Sequence, residues 1–178
     1  VWEVLSDATY RFGEPLPELC QGPHCQGGPT GFNGVWDKHP RVFTFVVLRH
    51  RASGTILNIL NTHLSLEPTL QRPELQQIIN FIHENSLDNL VVCGDFNTHQ
   101  PTHELSWFVT AAGLRDSMDF RQQSTFGGSF THVDHSKHRL DWLLHRGSRL
   151  TRAAQGGVVV PFTYGRRQFR PSDHEALL

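Results

Sequence analysis

Three apolar runs of strand character, Ile56–Leu60, Leu90–Cys93 and Leu140–Leu144, constrain this chain most, because each leads into or contains polar residues suited to chemistry. The first ends in Asn61-Thr62-His63-Leu64, the second in Gly94-Asp95-Phe96-Asn97, and the third lies within Arg139-Leu140-Asp141-Trp142. A fourth polar segment, Ser172-Asp173-His174, stands near the C-terminus. Strand ends are where sandwich and α/β folds keep their binding and catalytic groups.

The rest of the pattern supplies the elements around these runs. Arg41–Arg49 is β-rich, and a turn ending in Ser53-Gly54 separates it from a run over Thr55–Leu60, which predicts a hairpin. Leu75, Ile78, Ile79 and Ile82 follow the i, i+3, i+4, i+7 spacing of one helical face, predicting a helix that begins near Pro73 and packs on a sheet. A second helix carries Leu105, Phe108, Val109 and Ala112 on one face, with Thr102 as N-cap and Gly113 closing its C-terminus. Glu14–Gly34 reads as a long Gly/Pro-rich loop, Arg115–His138 as polar and irregular, and Val158–Val160 as the last strand but one. Strands outnumber helices and turns are frequent, which suits an α/β sandwich with helices covering two stacked sheets but leaves other α+β arrangements open.

Hydrolysing a phosphoester near neutral pH needs an activated water, donors or positive charge on the nonbridging oxygens, and usually a divalent ion. Asp95 and Asn97, read as alternating on extended backbone, place a carboxylate beside an amide: one can orient or deprotonate water, the other can donate to phosphate. Asp173 offers oxygen to Mg²⁺ and His174 an imidazole to phosphate, with Asp141 as a carboxylate partner for His174. Taken singly, an Asp-Phe-Asn or a Ser-Asp-His is usually a turn or a cap. Four such segments in this order make chance agreement a poor explanation.

From Trp36 to the C-terminus, the order, spacing and residue types of these segments resemble the endonuclease/exonuclease/phosphatase superfamily, the deoxyribonuclease I-like group. The resemblance implies a four-layer α/β/β/α sandwich and a Mg²⁺-dependent phosphoester hydrolase, with Mn²⁺ as an alternative ion. It implies water activation by Asp95, phosphate contacts from His63, Asn97 and His174, pairing of Asp141 with His174, and metal ligation by Asp173, Asp95 and Asn97. In the sphingomyelinase and deadenylase branches the position of His63 is likewise a histidine in an Asn-Thr-His-Leu setting. Trp36-Asp37 resembles an element of some bacterial members. Full-length members also carry an Asn ending their first strand and a Glu in a Gln-Glu pair ending their second. Neither is found here, since Glu3 lacks the preceding Gln and a strand, and Asn33 lies in the glycine-rich loop. The chain is therefore expected to be a single domain over residues 1–178, truncated at its N-terminus, and by itself weakly active or inactive because few oxygen ligands remain for the ion.

A net charge of -1 gives no global positive field for nucleic acid, so any such contact must be local, with Arg166, Arg167 and Arg170 as candidates against a plain solvated loop. The charge and the Asn-Thr-His-Leu form favour a phosphodiesterase acting on a small-molecule, lipid-linked or single-stranded nucleic-acid phosphoester over a dedicated double-strand nuclease. A monomer is expected, no apolar run is long enough to span a membrane as a helix, and no compartment is indicated. Cys93 reads as a free, buried thiol in a strand. Cys20 and Cys25 with His24, and His132, Asp134, His135 and His138, could each suggest metal, but loop thiols and solvated histidines explain them more simply. The competing reading is a non-catalytic binding module that keeps the fold without the full metal site. A zinc protein would need the cysteine and histidine segments to converge.

Overall fold

A computed structural model describes residues 1–13, 37, 39–98, 102–117, 139–148 and 150 in full, and the backbone of 31–32, 35–36, 157–158, 162–164, 167–169 and 176–177. Its centre is a six-stranded mixed sheet. The strands are β1 (Trp2–Arg11), β4 (Val42–His50), β5 (Ile56–His63), β6 (Leu90–Asp95), β7 (Arg115–Asp116) and β8 (Asp141–Arg146), in the order β1-β4-β5-β6-β8-β7. Two-residue strands β2 (Gly31–Phe32) and β3 (Val35–Trp36) pair with each other. So do β9 (Gly157–Val158) with β12 (Ala176–Leu177), and β10 (Phe162–Tyr164) with β11 (Arg167–Phe169).

The expected hairpin is β4–β5, closed by the His50 N–H on Thr55 O at 2.8 Å and the Gly54 N–H on His50 O at 2.8 Å, with Gly54 at φ +68°. Helix α1 (Pro68–Glu84) then crosses over to β6, which runs parallel to β5, as a parallel pair requires. This helix begins five residues before the expected Pro73: Pro68 takes the first turn, where its missing N–H costs nothing, and Pro73 lies inside. Pro73 cannot donate to Thr69, four residues back, and Thr69 is exposed, where water can take that role. Helix α2 (His103–Ala111) matches its sequence signals closely. The Thr102 hydroxyl accepts the Leu105 N–H at 3.3 Å, and Gly113 follows the Ala112 cap at φ +64°.

Strand alternation assigns the two faces of the sheet. Phe43 of β4, Leu60 of β5, Leu90 and Val92 of β6, and Trp142 and Leu144 of β8 are all at most 1% exposed and meet Leu75, Ile78 and Ile82 of α1 and Leu105 and Phe108 of α2. Each such burial contributes roughly 1.5–3 kcal/mol. On the opposite face, Val46, Ile59, Val91, Cys93 and Leu143 are only half-buried. Mixed sheet and helices agree with an α/β fold of the deoxyribonuclease I-like type.

Further expectations fail here. Glu3 does lie on a strand, because Trp2–Arg11 pairs antiparallel with β4. A register shift between Val4 and Ser6 reverses the alternation halfway along β1, so the sequence shows no continuous period of two. Val158 does not belong to the last strand but one: β10, β11 and β12 follow, and segments such as Phe-Thr-Tyr and Arg-Gln-Phe contain no apolar run to reveal them. Most of the Glu14–Gly34 and Arg115–His138 segments lies outside the described residues, although β2 falls in the first and β7 opens the second.

Candidate active site

Register brings three of the sequence-predicted residues into one row. In the parallel pair His63 of β5 stands opposite Asp95 of β6, and in the antiparallel pair Asp95 stands opposite Asp141 of β8. All three alternate away from the helix-covered face, since their strand neighbours Thr62, Phe96 and Trp142 are buried. His63, Asp95 and Asp141 therefore occupy one edge of one face, across three adjacent strands.

Asp95 is the centre of this row. Its Oδ2 is 3.4 Å from His63 Nε2, while Oδ1 accepts the Asn97 backbone N–H at 2.7 Å. The Asp95 side chain is 14% exposed and that of His63 is 60% exposed, so the carboxylate is held from within and the imidazole reaches solvent. Gly94, just before it, has φ +129°, and a Cβ there would lie 1.9 Å from the Thr62 carbonyl oxygen. Only glycine permits β6 to approach β5 in this way. Phe96, just after it, is fully buried against Phe108, with ring centroids 6.0 Å apart, and anchors the segment in the core.

Asn97 departs from the expected conformation. The strand ends at Asp95, and Asn97 is left-handed, at φ +48°, instead of extended. Its amide Nδ2 donates to Leu64 O at 2.8 Å, tying the chain after β6 to the chain after β5. Asparagine accepts this conformation more readily than most residues. The amide thus comes beside Asp95 through a turn, not through strand alternation.

The sequence marked Arg139-Leu140-Asp141-Trp142 but gave Arg139 no role. Its guanidinium forms a two-pronged pair with Asp116, both contacts at 2.7 Å, lies 3.9 Å over the Trp142 ring, and donates through Nε to Asp141 O at 3.3 Å. This braces the start of β8, where Asp141 stands. Asn61 faces the neighbouring row: the Cys93 thiol donates to Asn61 Oδ1 at 3.7 Å, and burial raises the thiol's pKa, keeping it protonated. Cys93 is a free thiol, as expected, but half-buried instead of buried.

Of a polar group under the row, the sequence marked only Asp37, within Trp36-Asp37, and missed the rest. Asp37 accepts the His39 N–H at 2.9 Å, Arg41 Nε at 3.0 Å and the Ser65 hydroxyl, and Glu74 accepts the Ser65 N–H at 2.9 Å. Burial alone would raise the Asp37 pKa, but these hydrogen bonds and the Arg41 charge bring it down to about 2. Glu74 is 1% exposed, and burial pushes its carboxyl up to about 7 against the lowering influence of the Ser65 N–H and Arg41. Gln71 completes the group. Gln71 and Glu74 lie one turn before Leu75 and Ile78, on the stripe that faces the core, and polar residues there were the available signal.

Asp173 and His174 lie outside the described residues, as do Arg166, Arg170, Cys20, His24, Cys25, His132, Asp134, His135 and His138. Arg167 is described only as backbone in β11. Glu3 is far along the sheet from the row: it pairs with Arg49 at 2.9 Å, at the end of β4 opposite Phe43, the partner of Thr62. Among the described residues no group of three His, Cys, Asp or Glu side chains is gathered as a metal site.

A profile of the endonuclease/exonuclease/phosphatase family matches residues 5–174. The chain belongs to that family. Solved structures with the same fold include a mannosyl-6-phosphatase of Bacteroides thetaiotaomicron, 17% identical over 99% of this chain and 67% of that chain, with a TM-score of 0.68. An endonuclease/exonuclease/phosphatase family protein of the same organism is 16% identical over 99% and 64%, with a TM-score of 0.67. Sphingomyelinase C of Streptomyces griseocarneus is 15% identical over 99% and 64%, with a TM-score of 0.62. The chain thus spans about two-thirds of the length of these structures. No curated protein matches the sequence.

Proposed function

We propose that this family member hydrolyses phosphoesters with the help of a divalent cation, Mg²⁺ or Mn²⁺, and prefers diesters, residues 1–178 belonging to a single domain. The observation that carries the reading is the row His63–Asp95–Asp141, set by register across three strands on one face. That two structural relatives are named as a phosphatase and a sphingomyelinase supports phosphoester chemistry as the common ground. The substrate is a small-molecule, lipid-linked or single-stranded nucleic-acid phosphoester.

In this reading Asp95 orients the attacking water and takes its proton. Its Oδ1 is already occupied by the Asn97 N–H, which fixes the carboxylate and leaves Oδ2 toward His63 and the solvent. His63 donates to a nonbridging oxygen of the phosphate. Asn97 commits one amide hydrogen to Leu64 O, and the reading assigns the second to phosphate. His174 supplies a further donor, its tautomer held by Asp141. The carboxylate and amide oxygens of Asp95 and Asn97 are the hard donors that Mg²⁺ and Mn²⁺ prefer, and with Asp173 they would hold the ion. When bound, the ion supplies charge stabilisation at the phosphate oxygens.

The test is hydrolysis of bis-p-nitrophenyl phosphate and p-nitrophenyl phosphate, with and without Mg²⁺, by this chain and by any longer form that carries it. Asp95→Ala and His174→Ala should each lower kcat by about 10²–10⁴-fold. Faster cleavage of the diester supports the substrate class. Cleavage that survives both substitutions, or the absence of cleavage in every form, would turn the reading toward a binding module.

A further inference from the structure

We propose that Gln71 of α1 is a positioning residue for Asp95, acting through the Asn97 turn; this rests on the reading of Asp95 as the group that activates water. Gln71 is a neutral polar side chain, 8% exposed, on the core-facing side of its helix. Its Nε2 donates to two backbone carbonyls at once, Ser65 O at 2.9 Å and Asn97 O at 3.2 Å. Both are acceptors, so the amide must present its nitrogen to them, and its oxygen then faces the Thr98 hydroxyl at 3.4 Å.

The consequence passes along the chain in short steps. Ser65 follows His63 and Leu64 at the end of β5, and Asn97 follows Asp95 at the end of β6. One side chain therefore clamps two of the three segments that carry the row, those of His63 and Asp95. Holding the Asn97 carbonyl inward helps keep that residue left-handed, at φ +48°. In this conformation its N–H meets Asp95 Oδ1 at 2.7 Å and its amide meets Leu64 O at 2.8 Å. The orientation of the Asp95 carboxylate, with Oδ2 toward His63, thus depends on a side chain that acts through the Asn97 turn. An amide fills this position best because it brings two donors on one atom and an acceptor beside them. Leucine of similar size would strand the Ser65 and Asn97 carbonyls. Glutamate would set a carboxylate against both of them, and only its protonated form can donate to one.

Two variants, Gln71→Leu and Gln71→Glu, test this by amide exchange at Asn97 and by kcat and KM for bis-p-nitrophenyl phosphate across pH. In Gln71→Leu the Asn97 amide should exchange roughly 10-fold faster, as expected for the loss of one or two hydrogen bonds, while Val92 inside β6 stays protected. Turnover should fall about 10–100-fold with KM within about twofold, the usual scale for a group supporting a catalytic residue. Gln71→Glu, whose carboxylate cannot donate to either carbonyl, should repeat the faster Asn97 exchange and the lower kcat at neutral and higher pH with Val92 still protected and KM held, a local pattern that a simple packing role would not produce; it also serves if Gln71→Leu fails to fold. Unchanged Asn97 exchange, or a rise in KM with kcat intact, overturns the proposal. If the unsubstituted protein hydrolyses no phosphoester in any form, the function proposed above fails, and the exchange measurement alone decides whether Gln71 positions the turn.

Discussion

Replacing Glu74 with glutamine should make the folded chain more stable in mild alkali while hardly changing it in mild acid. The carboxyl is 1% exposed and accepts the Ser65 N–H, with Asp37 and Arg41 as the charged groups facing it. Its pKa rises from 4.5 in an open chain to about 7 in the fold. Well below 4.5 both states hold the proton, and the group contributes nothing to pH dependence. Between 4.5 and about 7 the unfolded chain releases the proton while the folded chain keeps it, so stability falls as pH rises. Above about 7 the full cost is in place, about 3 kcal/mol at 1.36 kcal/mol per pH unit. Roughly 2.5 kcal/mol of this falls between about pH 5 and pH 8. Glutamine keeps an oxygen for the Ser65 N–H and never ionises. Urea unfolding of both chains at the two pH values isolates the effect, because every other titrating group cancels in the comparison. The stability difference between Glu74→Gln and the unsubstituted chain should grow by about 2.5 kcal/mol from the lower to the higher pH. A difference equal at both values within about 0.5 kcal/mol would mean that Glu74 is ionised in the fold and the burial argument is wrong.

The other expectations concern backbone geometry, a buried ion pair and a cap. Gly94→Ala forces a Cβ to within 1.9 Å of the Thr62 carbonyl at positive φ; it should cost about 3 kcal/mol or more in urea unfolding and disturb the His63–Asp95 register, with any hydrolysis lost alongside. Arg139→Met removes the two-pronged Arg139 contact from Asp116, which is only 15% exposed, and should destabilise by about 3 kcal/mol, with much of the loss recovered in an Asp116→Asn, Arg139→Met double variant. Thr102→Ala deletes the hydroxyl that accepts the Leu105 N–H and should cost about 1 kcal/mol, read as a lower thermal midpoint; no change would show that the cap is replaced by water.

How far the sequence could be read depended on whether one rule governed a segment from end to end. His63, Asp95 and Asp141 were visible because each stands at the edge of a β-rich run, where a period of two holds and burial on one face enforces it. Alternation failed one turn later: carried past Asp95, it would make Asn97 extended, whereas the closeness of β5 and β6 at Gly94 and the carbonyls gathered by Gln71 bend the chain into a left-handed turn. β1 was hidden for a related reason, since its register shift at Leu5 changes which face is inward halfway along. The start of α1 was hidden by its chemistry. Going back from Leu75 and Ile78, the next core-facing positions are Gln71 and Glu74, and a search for apolar spacing stops there although the helix does not. The residues that ended the apolar pattern are those that reach from the helix to Ser65 and Asn97, on the segments after β5 and β6. A helix joining parallel strands has its first turns near the end of the first strand and beside the end of the second, so polar groups on its buried side there can hold both. In such a crossover, a polar interruption of the apolar stripe close to the helix N-terminus is therefore a sign of where the site lies, and loss of that interruption, as in Gln71→Leu, should disturb the strand ends before it disturbs the core.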